Sequence, residues 1–478
     1  MGPDQPRPDL DLCGRTSVAD FDVLVLGAGS GGYACALRAA QLGLSVGLIE
    51  KDKVGGTCLH VGCIPTKALL HAAEVADSAR ESEQFGVRAS FEGIDVPAVN
   101  DYKDGVVSRL YKGLSGLIKG RGITVIEGAG IVTGPREVTV DGTVHTGKNL
   151  VLASGSYPRS LPGLEIDGEQ VLSSEHALRL ERVPESVIVL GGGVIGCEFA
   201  SVWRSFGADV TIIEALPHLV PAEDEAASKA LERAFRKRKI GFRLNTRFQG
   251  VEVGDNGVTV TVTDADGKES TLKADLLLVA VGRGPATDGL GYEDLGVTLD
   301  RGFVVTDERC RTGVEGVYAV GDIVPGLQLA HRGFQQGIFV AEEIAGLDPQ
   351  PIDEAGIPRV TYSHPEVASV GLDEAAAREK FGDDDVETVT YDLGGNGKSQ
   401  ILKTQGFVKL VRRKDGPVVG VHLVGDRVGE LIGEAQLIYN WEAYADDVAP
   451  LVHAHPTQNE ALGEAHLALA GKPLHAHS

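Results

Sequence analysis

The chain has 478 residues, 42% of them hydrophobic and 24% charged, the make-up of a globular protein of about three domains with a core large enough to need no disulfide staples. Its 68 acidic and 45 basic side chains leave a net charge of -23, which argues against a nucleic-acid groove or an anionic membrane as partner. No apolar run is long enough to span a bilayer. Residues 1–20 combine Pro and Asp with no apolar stretch. They match neither a secretory signal nor an Arg-rich presequence, and are read as a disordered extension of a cytoplasmic protein.

From Phe21 to Glu50 a β-branched apolar run enters a Gly-rich turn, continues into an Ala-rich helix and ends in an apolar strand closed by Glu50. The turn Gly27-Ala28-Gly29-Ser30-Gly31-Gly32 carries the G-x-G-x-x-G pattern. Gly27 permits the tight turn, Gly29 lets a pyrophosphate approach the backbone, and Gly32 lets helix and strand pack, with the helix N-terminus facing the phosphates. Glu50 lies where a carboxylate accepts from a ribose hydroxyl.

Next comes VGGTCLHVGCIPTK, from Val54 to Lys67. Of the six cysteines, only Cys58 and Cys63 lie close together, and in a cytosolic chain such a pair points to redox chemistry or a metal. Five residues of regular helix rise about 7.5 Å, more than the roughly 4.4–6.8 Å between the Cα atoms of a disulfide. A bonded pair therefore requires a bend, and Gly62 and Pro65 supply the means. Pro65 suits a first helical turn, and a Cys just ahead of that turn is a ready thiolate. The spacing is not C-x-x-C and no second ligand pair follows, which argues against zinc; two buried thiols remain the plain alternative. Cys35, Cys197 and Cys310 read as small buried hydrophobes.

Residues 85–155 contain short alternating runs, ITVIEG, EVTVDG and NLVLASGS, which read as strands and hairpins. A second βαβ unit runs from Ser186 to Glu214, with Gly191-Gly192-Gly193-Val194-Ile195-Gly196 at its turn. The interval from the last motif glycine to the closing glutamate, Gly32 to Glu50 and Gly196 to Glu214, is 18 residues in both units. One such motif is a weak signal; two complete units of ~30 residues imply two dinucleotides. The first unit leads straight into the cysteines, so FAD is assigned there and NAD(P) to the second. Glu214 repels a 2′-phosphate and positions 215–220 hold no Arg or Lys, which favours NAD over NADP.

A β-ribbon and a buried strand follow in GVTVTVTDADGKESTLKADLLLVAVGRGP, then the strand GVYAVGD. From residue 351 the pattern changes to antiparallel strands (RVTYSHPEVASVGL, GFVKLVRR, PVVGVHLVG) and a helix, VGELIGEAQLIYNWEA, an α+β domain. Near the end, HAHPTQNE places His455 before Pro456, outside regular helix and with a peptide bond that is a candidate for cis. Glu460 can bond the imidazole and raise its basicity. Equally, Thr457-x-x-Glu460 reads as a helix capping box. His453 shows no comparable partner and reads as structural.

Taken in order, GGTCLHVGCIPTK, the two βαβ units, TGVEGVYAVGD and HAHPTQNE resemble the pyridine nucleotide-disulfide oxidoreductase family, from Phe21 to nearly the end of the chain. Within it the chain looks like the branch that oxidises dihydrolipoamide, and the closing NEALGEAHLALAGKPLH is similar to its actinobacterial members. The resemblance implies an α/β fold of two Rossmann-like dinucleotide-binding domains plus a C-terminal α+β dimerisation domain. The FAD domain would take residues 21–155 and 285–350, the NAD domain 156–284 and the interface domain 351–478.

The resemblance further implies a redox-active disulfide between Cys58 and Cys63. It places Gly27, Gly29, Gly32, Glu50, Lys67, Gly130, Ser154, Gly155, Ser156, Asp322, Gln328, Leu329, Ala330 and His331 against one non-covalent FAD per subunit. Gly191, Gly193, Gly196, Glu198, Glu214, Phe248 and Gly282 would line the NAD+/NADH site, with Arg283 adjacent. Lys67 and Glu198 would pair near the flavin; the plain reading of that pair is a structural salt bridge. His455, supplied by the partner subunit of a homodimer and held by Glu460, would deprotonate a dihydrolipoyl thiol that attacks Cys58, while Cys63 faces the flavin. The chain carries no lipoyl domain, so the lipoyl group would arrive on acyltransferase subunits of 2-oxo acid dehydrogenase complexes.

Three positions depart from the family pattern: Ser154 replaces Thr in Ala-Thr-Gly-Ser, Cys197 stands where an aliphatic residue is usual, and His60 where Asn is common. None removes a group the chemistry needs. Glutathione and mycothione reductases share the Cys pair and the His-Glu dyad but favour NADPH. Mercuric and large thioredoxin reductases need a further C-terminal thiol or selenol pair, and GKPLHAHS has no Cys. A docking subunit without turnover is the remaining reading, opposed by the intact Cys58, Cys63, His455 and Glu460.

Overall fold

The computed structural model describes residues 19–475; all but the last two residues of the extension assigned to 1–20, and Cys13 with them, lie outside that range. The chain divides into two compact units. One gathers the described residues up to Cys58 with Arg109–Tyr157 and Gly284–Ile352; the other gathers Leu59–Ser108, Pro158–Arg283 and the described residues from Asp353 on.

The first unit is built on the strand Phe21–Leu26, in which Val23 to Leu26 are all buried, as expected of a strand covered on both faces. It pairs in parallel with Val46–Glu50 on one side and Thr143–Leu152 on the other. Thr124–Glu127 and Val317–Ala319 extend the parallel sheet at its two ends. The antiparallel strands Gly130–Gly134 and Glu137–Val140 lead into Thr143–Leu152.

The second unit repeats this plan. Its parallel sheet runs Gly241–Arg243, Asp209–Ile213, Ser186–Leu190, Leu276–Val279, Val171–Leu172. A three-stranded antiparallel ribbon, Arg247–Gly254, Gly257–Thr263 and Glu269–Ala274, precedes the return strand. The repeat legible in the two βαβ units thus extends to four strands of each sheet; the fifth comes after them in the chain in the first sheet (Val317–Ala319) and before them in the second (Val171–Leu172). The same unit holds a five-stranded antiparallel sheet over 359–425, covered by the helices Val428–Asn440 and Glu460–Leu469, whose apolar residues share its core.

One element was not foreseen. Residues 85–155, read as strands and hairpins, contain the 25-residue helix Val96–Gly120. Gly105, Gly113, Gly116 and Gly120 weaken its propensity by roughly 1 kcal/mol each relative to Ala, so packing rather than local preference sustains it. Among the described residues no helix is long and apolar enough to cross a membrane.

Candidate functional site

The two Gly-rich turns are sterically alike. A Cβ on Gly32 would lie 1.8 Å from the Gly27 carbonyl oxygen, and one on Gly196 would lie 2.0 Å from that of Gly191. Gly27 and Gly191 have φ of 101° and 110°, values that L side chains avoid. A Cβ on Gly29 or Gly193, by contrast, meets nothing within 4 Å. These two glycines are the N-caps of the helices Ser30–Gln41 and Val194–Phe206, and neither end carries a side-chain cap. Each turn therefore offers uncapped helix N–H groups with open space on the Cβ side of its second glycine, the form of a dinucleotide pyrophosphate cradle.

The closing glutamates repeat as well. Glu50 accepts from the Ala28 and Asp52 amides at 2.8 and 3.0 Å; Glu214 accepts from Gly192 and Leu216 at 2.7 and 2.8 Å. Each carboxylate is thus clamped to its own glycine turn, a contact the sequence spacing did not reveal. Cys197, behind the second turn, donates to the Gly192 carbonyl at 3.3 Å. Burial, then Glu198 and Glu214, push its thiol far up; Cys35 is likewise pushed up to about 12, by burial first and then Cys310. Cys35, Cys197 and Cys310 are all buried, as small hydrophobes should be.

The remaining FAD candidates of the first unit cluster at its return segments. Ser156 donates to Asp322 at 2.5 Å, and Gln328 Nε2 donates to the Asp322 carbonyl at 3.2 Å. Asp322 lies in the short helix Gly321–Ile323 just after the strand Val317–Ala319, and Leu329 caps the helix that begins with Ala330 and His331. Gly130 sits at a strand start where a Cβ would meet Leu26 and Val138 side chains. Tyr292, which no motif marked, is 1% exposed and donates to Ser154 at 2.9 Å; it fixes the hydroxyl that replaces the family's Thr. In the second unit Phe248 lies on the strand Arg247–Gly254, and the Gly282 carbonyl, in a turn with φ of 108°, accepts from the Arg159 amide.

The cysteine segment is bent, as a bonded pair would require. Helix Gly56–Val61 ends, Gly62 takes φ -139° and ψ -115°, and helix Cys63–Glu81 begins. Pro65 falls in the first turn of that second helix, and Cys58 and Cys63, both half-buried, lie on either side of the break. One turn on, Lys67 binds both oxygens of Glu198, at 2.8 and 2.9 Å. Glu198 also accepts from the Tyr362 amide at 3.0 Å, and Lys67 lies 4.8 Å from the centre of the Tyr362 ring. Burial works against the ammonium, but Glu198, with smaller contributions from Cys63 and Tyr362, outweighs it and holds Lys67 above the ordinary lysine range. Since the Glu198 side chain is 3% exposed, removing Lys67 would strand a buried charge at a cost of about 3–5 kcal/mol.

The loop before the last helix resolves the two readings of Glu460. The helix starts at Glu460 with Asn459 as N-cap, so Thr457 is not the cap. Only half of the capping box forms: Glu460 Oε2 accepts from the Thr457 amide at 2.8 Å, while the Thr457 hydroxyl turns away to the Ala454 carbonyl. The other carboxylate oxygen of Glu460 meets His455 Nδ1 at 2.8 Å. One carboxylate therefore shapes the loop and orients the imidazole together. Burial raises its pKa, yet the Thr457 amide and His455 more than offset this and keep it below the ordinary range. The His455–Pro456 bond is cis, and the His455 side chain is 77% exposed. His453, read as having no partner, does have one: Nε2 bonds Glu434 at 2.8 Å. The two are 19 positions apart on different elements, beyond the reach of local pattern. Among the described residues no group of three or more His, Cys, Asp or Glu is placed to hold a metal ion.

Residues 21–337 match the family described as pyridine nucleotide-disulphide oxidoreductase, and 357–466 match that family's dimerisation domain. The chain is 40% identical to a dihydrolipoyl dehydrogenase of Bacillus subtilis, across 95% of this chain and 99% of the relative. It is 41% identical to mitochondrial dihydrolipoyl dehydrogenase 2 of Arabidopsis thaliana, across 95% of this chain and 92% of that one. Among solved structures, LpdA from Mycobacterium tuberculosis superposes with a TM-score of 0.86 at 28% identity, covering 94% of this chain and 99% of its own.

Proposed function

The chain belongs to the pyridine nucleotide-disulphide oxidoreductase family, and on that premise we propose that it oxidises protein-bound dihydrolipoamide to lipoamide with reduction of NAD+, as a dihydrolipoyl dehydrogenase. The His455–Glu460 dyad, an exposed imidazole held by a carboxylate locked to its loop, is shared with NADPH-linked disulfide reductases; the observation that carries this reading over theirs is Glu214, clamped to its own glycine turn where a 2′-phosphate would need a cation.

In this reading His455 accepts the proton of one dihydrolipoyl thiol. The thiolate attacks Cys58, the Cys58–Cys63 bond breaks, and Cys63 leaves as a thiolate. The second lipoyl thiol then displaces Cys58, so that the lipoyl disulfide forms as the protein disulfide is reduced. Bound FAD supplies the two-electron relay from the dithiol to NAD+. The glycine turn at Gly27–Gly32 and the Ser156–Asp322 segment hold FAD, and the turn at Gly191–Gly196 holds NAD+. Glu214, committed to the Gly192 and Leu216 amides, keeps negative charge where NADP would need a cation. Residues 21–155 with 285–350 form the FAD domain, 156–284 the NAD domain and 351–478 the interface domain.

The protein works as a homodimer. Leu451 and Val452, exposed by 58% and 98%, lead into the His455 loop, and Trp441, exposed by 76%, ends the helix Val428–Asn440; these apolar side chains would face the second subunit. The lipoyl group comes on the acyltransferase subunits of 2-oxo acid dehydrogenase complexes, and the enzyme works in the cytoplasm. The decisive assay supplies dihydrolipoamide with NAD+, and NADPH with glutathione or mycothione disulfide. NAD+ reduction dominates if the proposal holds; a greater NADPH-dependent rate on either disulfide overturns it.

The glycine turns give a second expected result. Gly32→Ala should block folding of its unit, because its Cβ collides with the Gly27 carbonyl. Gly29→Ala meets no protein atom within 4 Å and should fold, yet purify with little flavin. The flavin-to-protein absorbance ratio measures this, and full flavin content in Gly29→Ala would show that no pyrophosphate passes there.

A further inference from the structure

We propose that Glu434 is a positioning residue for His455, holding in register both ends of the loop that presents the imidazole; this rests on the reading that His455 takes the substrate proton. Glu434 lies on the helix Val428–Asn440, anchored in the C-terminal core by Ile432, Ala435 and Ile438. One of its carboxylate oxygens accepts from His453 Nε2 at 2.8 Å, the other from the Asn459 side-chain amide. His455 and its cis bond to Pro456 lie between these two ties. Asn396 holds the middle of the same loop by donating to the Thr457 carbonyl at 2.9 Å.

The arrangement is closely fitted. A Cβ on Gly463 would come within 2.6 Å of His453 Nδ1, so the last helix seats directly against the ring. His453 is nearly covered, with 11% of its side chain exposed, whereas His455 is 77% exposed. Two His–carboxylate pairs thus stand two residues apart, one buried and one open. Glu460 sets the direction of the His455 ring; Glu434 sets where the main chain that carries it lies. A loop with one free end lets the imidazole wander, and a displacement of about 1 Å can cost a reaction up to 10²-fold.

The test uses the full-length flavin-loaded protein. In Glu434→Gln the single amide oxygen can serve only one of the two donors. Its kcat with dihydrolipoamide should fall on the order of tenfold, while KM for NAD+ and the rate of flavin reduction by NADH, neither of which needs His455, stay as in the parent. Asn459→Ala cuts one tie and spares the His453–Glu434 bond; it should show a smaller fall with the same split, and it decides the matter if Glu434→Gln does not assemble. Hydrogen exchange over residues 451–459 should quicken in both variants, independently of turnover. Parent kcat in either variant, an equal loss of NADH-driven flavin reduction, or unchanged exchange over 451–459 overturns the proposal. Absence of dihydrolipoamide oxidation in the parent protein would instead refute the assigned function, and the exchange measurement would still judge the clamp.

Discussion

Cys63→Ser is expected to lose NAD+-linked oxidation of dihydrolipoamide by on the order of 10³-fold or more, while NADH still reduces the flavin. Cys58→Ser should lose turnover to the same degree. The reason is stoichiometric: two electrons leave the substrate through one disulfide, and a serine at either position removes the bond that accepts them. The two variants then separate by role. With Cys58 present and Cys63 absent, a thiol remains to react with alkylating reagents at the substrate side. With Cys63 present, the remaining thiol heads the helix Cys63–Glu81, with the Lys67–Glu198 pair one turn on. In rapid-mixing experiments only the variant that keeps Cys63 should develop a long-wavelength thiolate-to-flavin absorbance. If that band appears in the variant that keeps Cys58 instead, the roles assigned to the two sulfurs are reversed.

His455→Gln carries the second large effect. Removing a general base typically costs 10²- to 10⁴-fold, so kcat/KM for dihydrolipoamide should fall within about that range, with NADH-driven flavin reduction retained. Glu460→Gln should fall less far on the chemical step, because an amide can still meet His455 Nδ1, but it no longer favours the protonated ring that forms when the thiol gives up its proton. Glu460 is itself held below the ordinary carboxylate range, so it stays charged beside the ring through the neutral range, and replacing it should lower kcat/KM throughout that range. A kcat/KM unmoved by Glu460→Gln would separate the carboxylate from the proton transfer and leave it only its loop-shaping bond to Thr457.

The bent cysteine segment shows how far local pattern reaches. The five-residue spacing calls for a break if the pair is bonded, Gly62 and Pro65 supply the means, and the helices Gly56–Val61 and Cys63–Glu81 meet at Gly62. The same holds for the glycine turns, where the steric requirement is written into a few consecutive residues: Gly27 and Gly32 touch within one turn of chain. The helix Val96–Gly120 escaped for the opposite reason. Its glycines argue against helix locally, and it is sustained by apolar neighbours from distant segments.

The Glu460 question marks the boundary most sharply. Thr457-x-x-Glu460 satisfies the capping-box spacing and the dyad spacing equally, because both bonds use the same carboxylate at short range. Only the position of the helix start, at Glu460 rather than after Thr457, assigns one oxygen to the loop and the other to the imidazole. His453–Glu434, Tyr292–Ser154 and Lys67–Glu198 are 19, 138 and 131 positions apart. Such pairs leave no periodic trace, since nothing but the packing of separate elements brings their ends together.

By itself, then, the sequence determined what short-range sterics and periodicity can encode: two dinucleotide turns, a bent cysteine pair, the family, and the identity of a His and a Glu near the chain's end. The tertiary structure decided which oxygen of Glu460 serves which partner, that His453 pairs with Glu434, and that Glu50 and Glu214 are each tied to their own glycine turn. Hydrogen bonds between distant segments are directional contacts of about 3 Å, and a chain can specify them only after its core has packed.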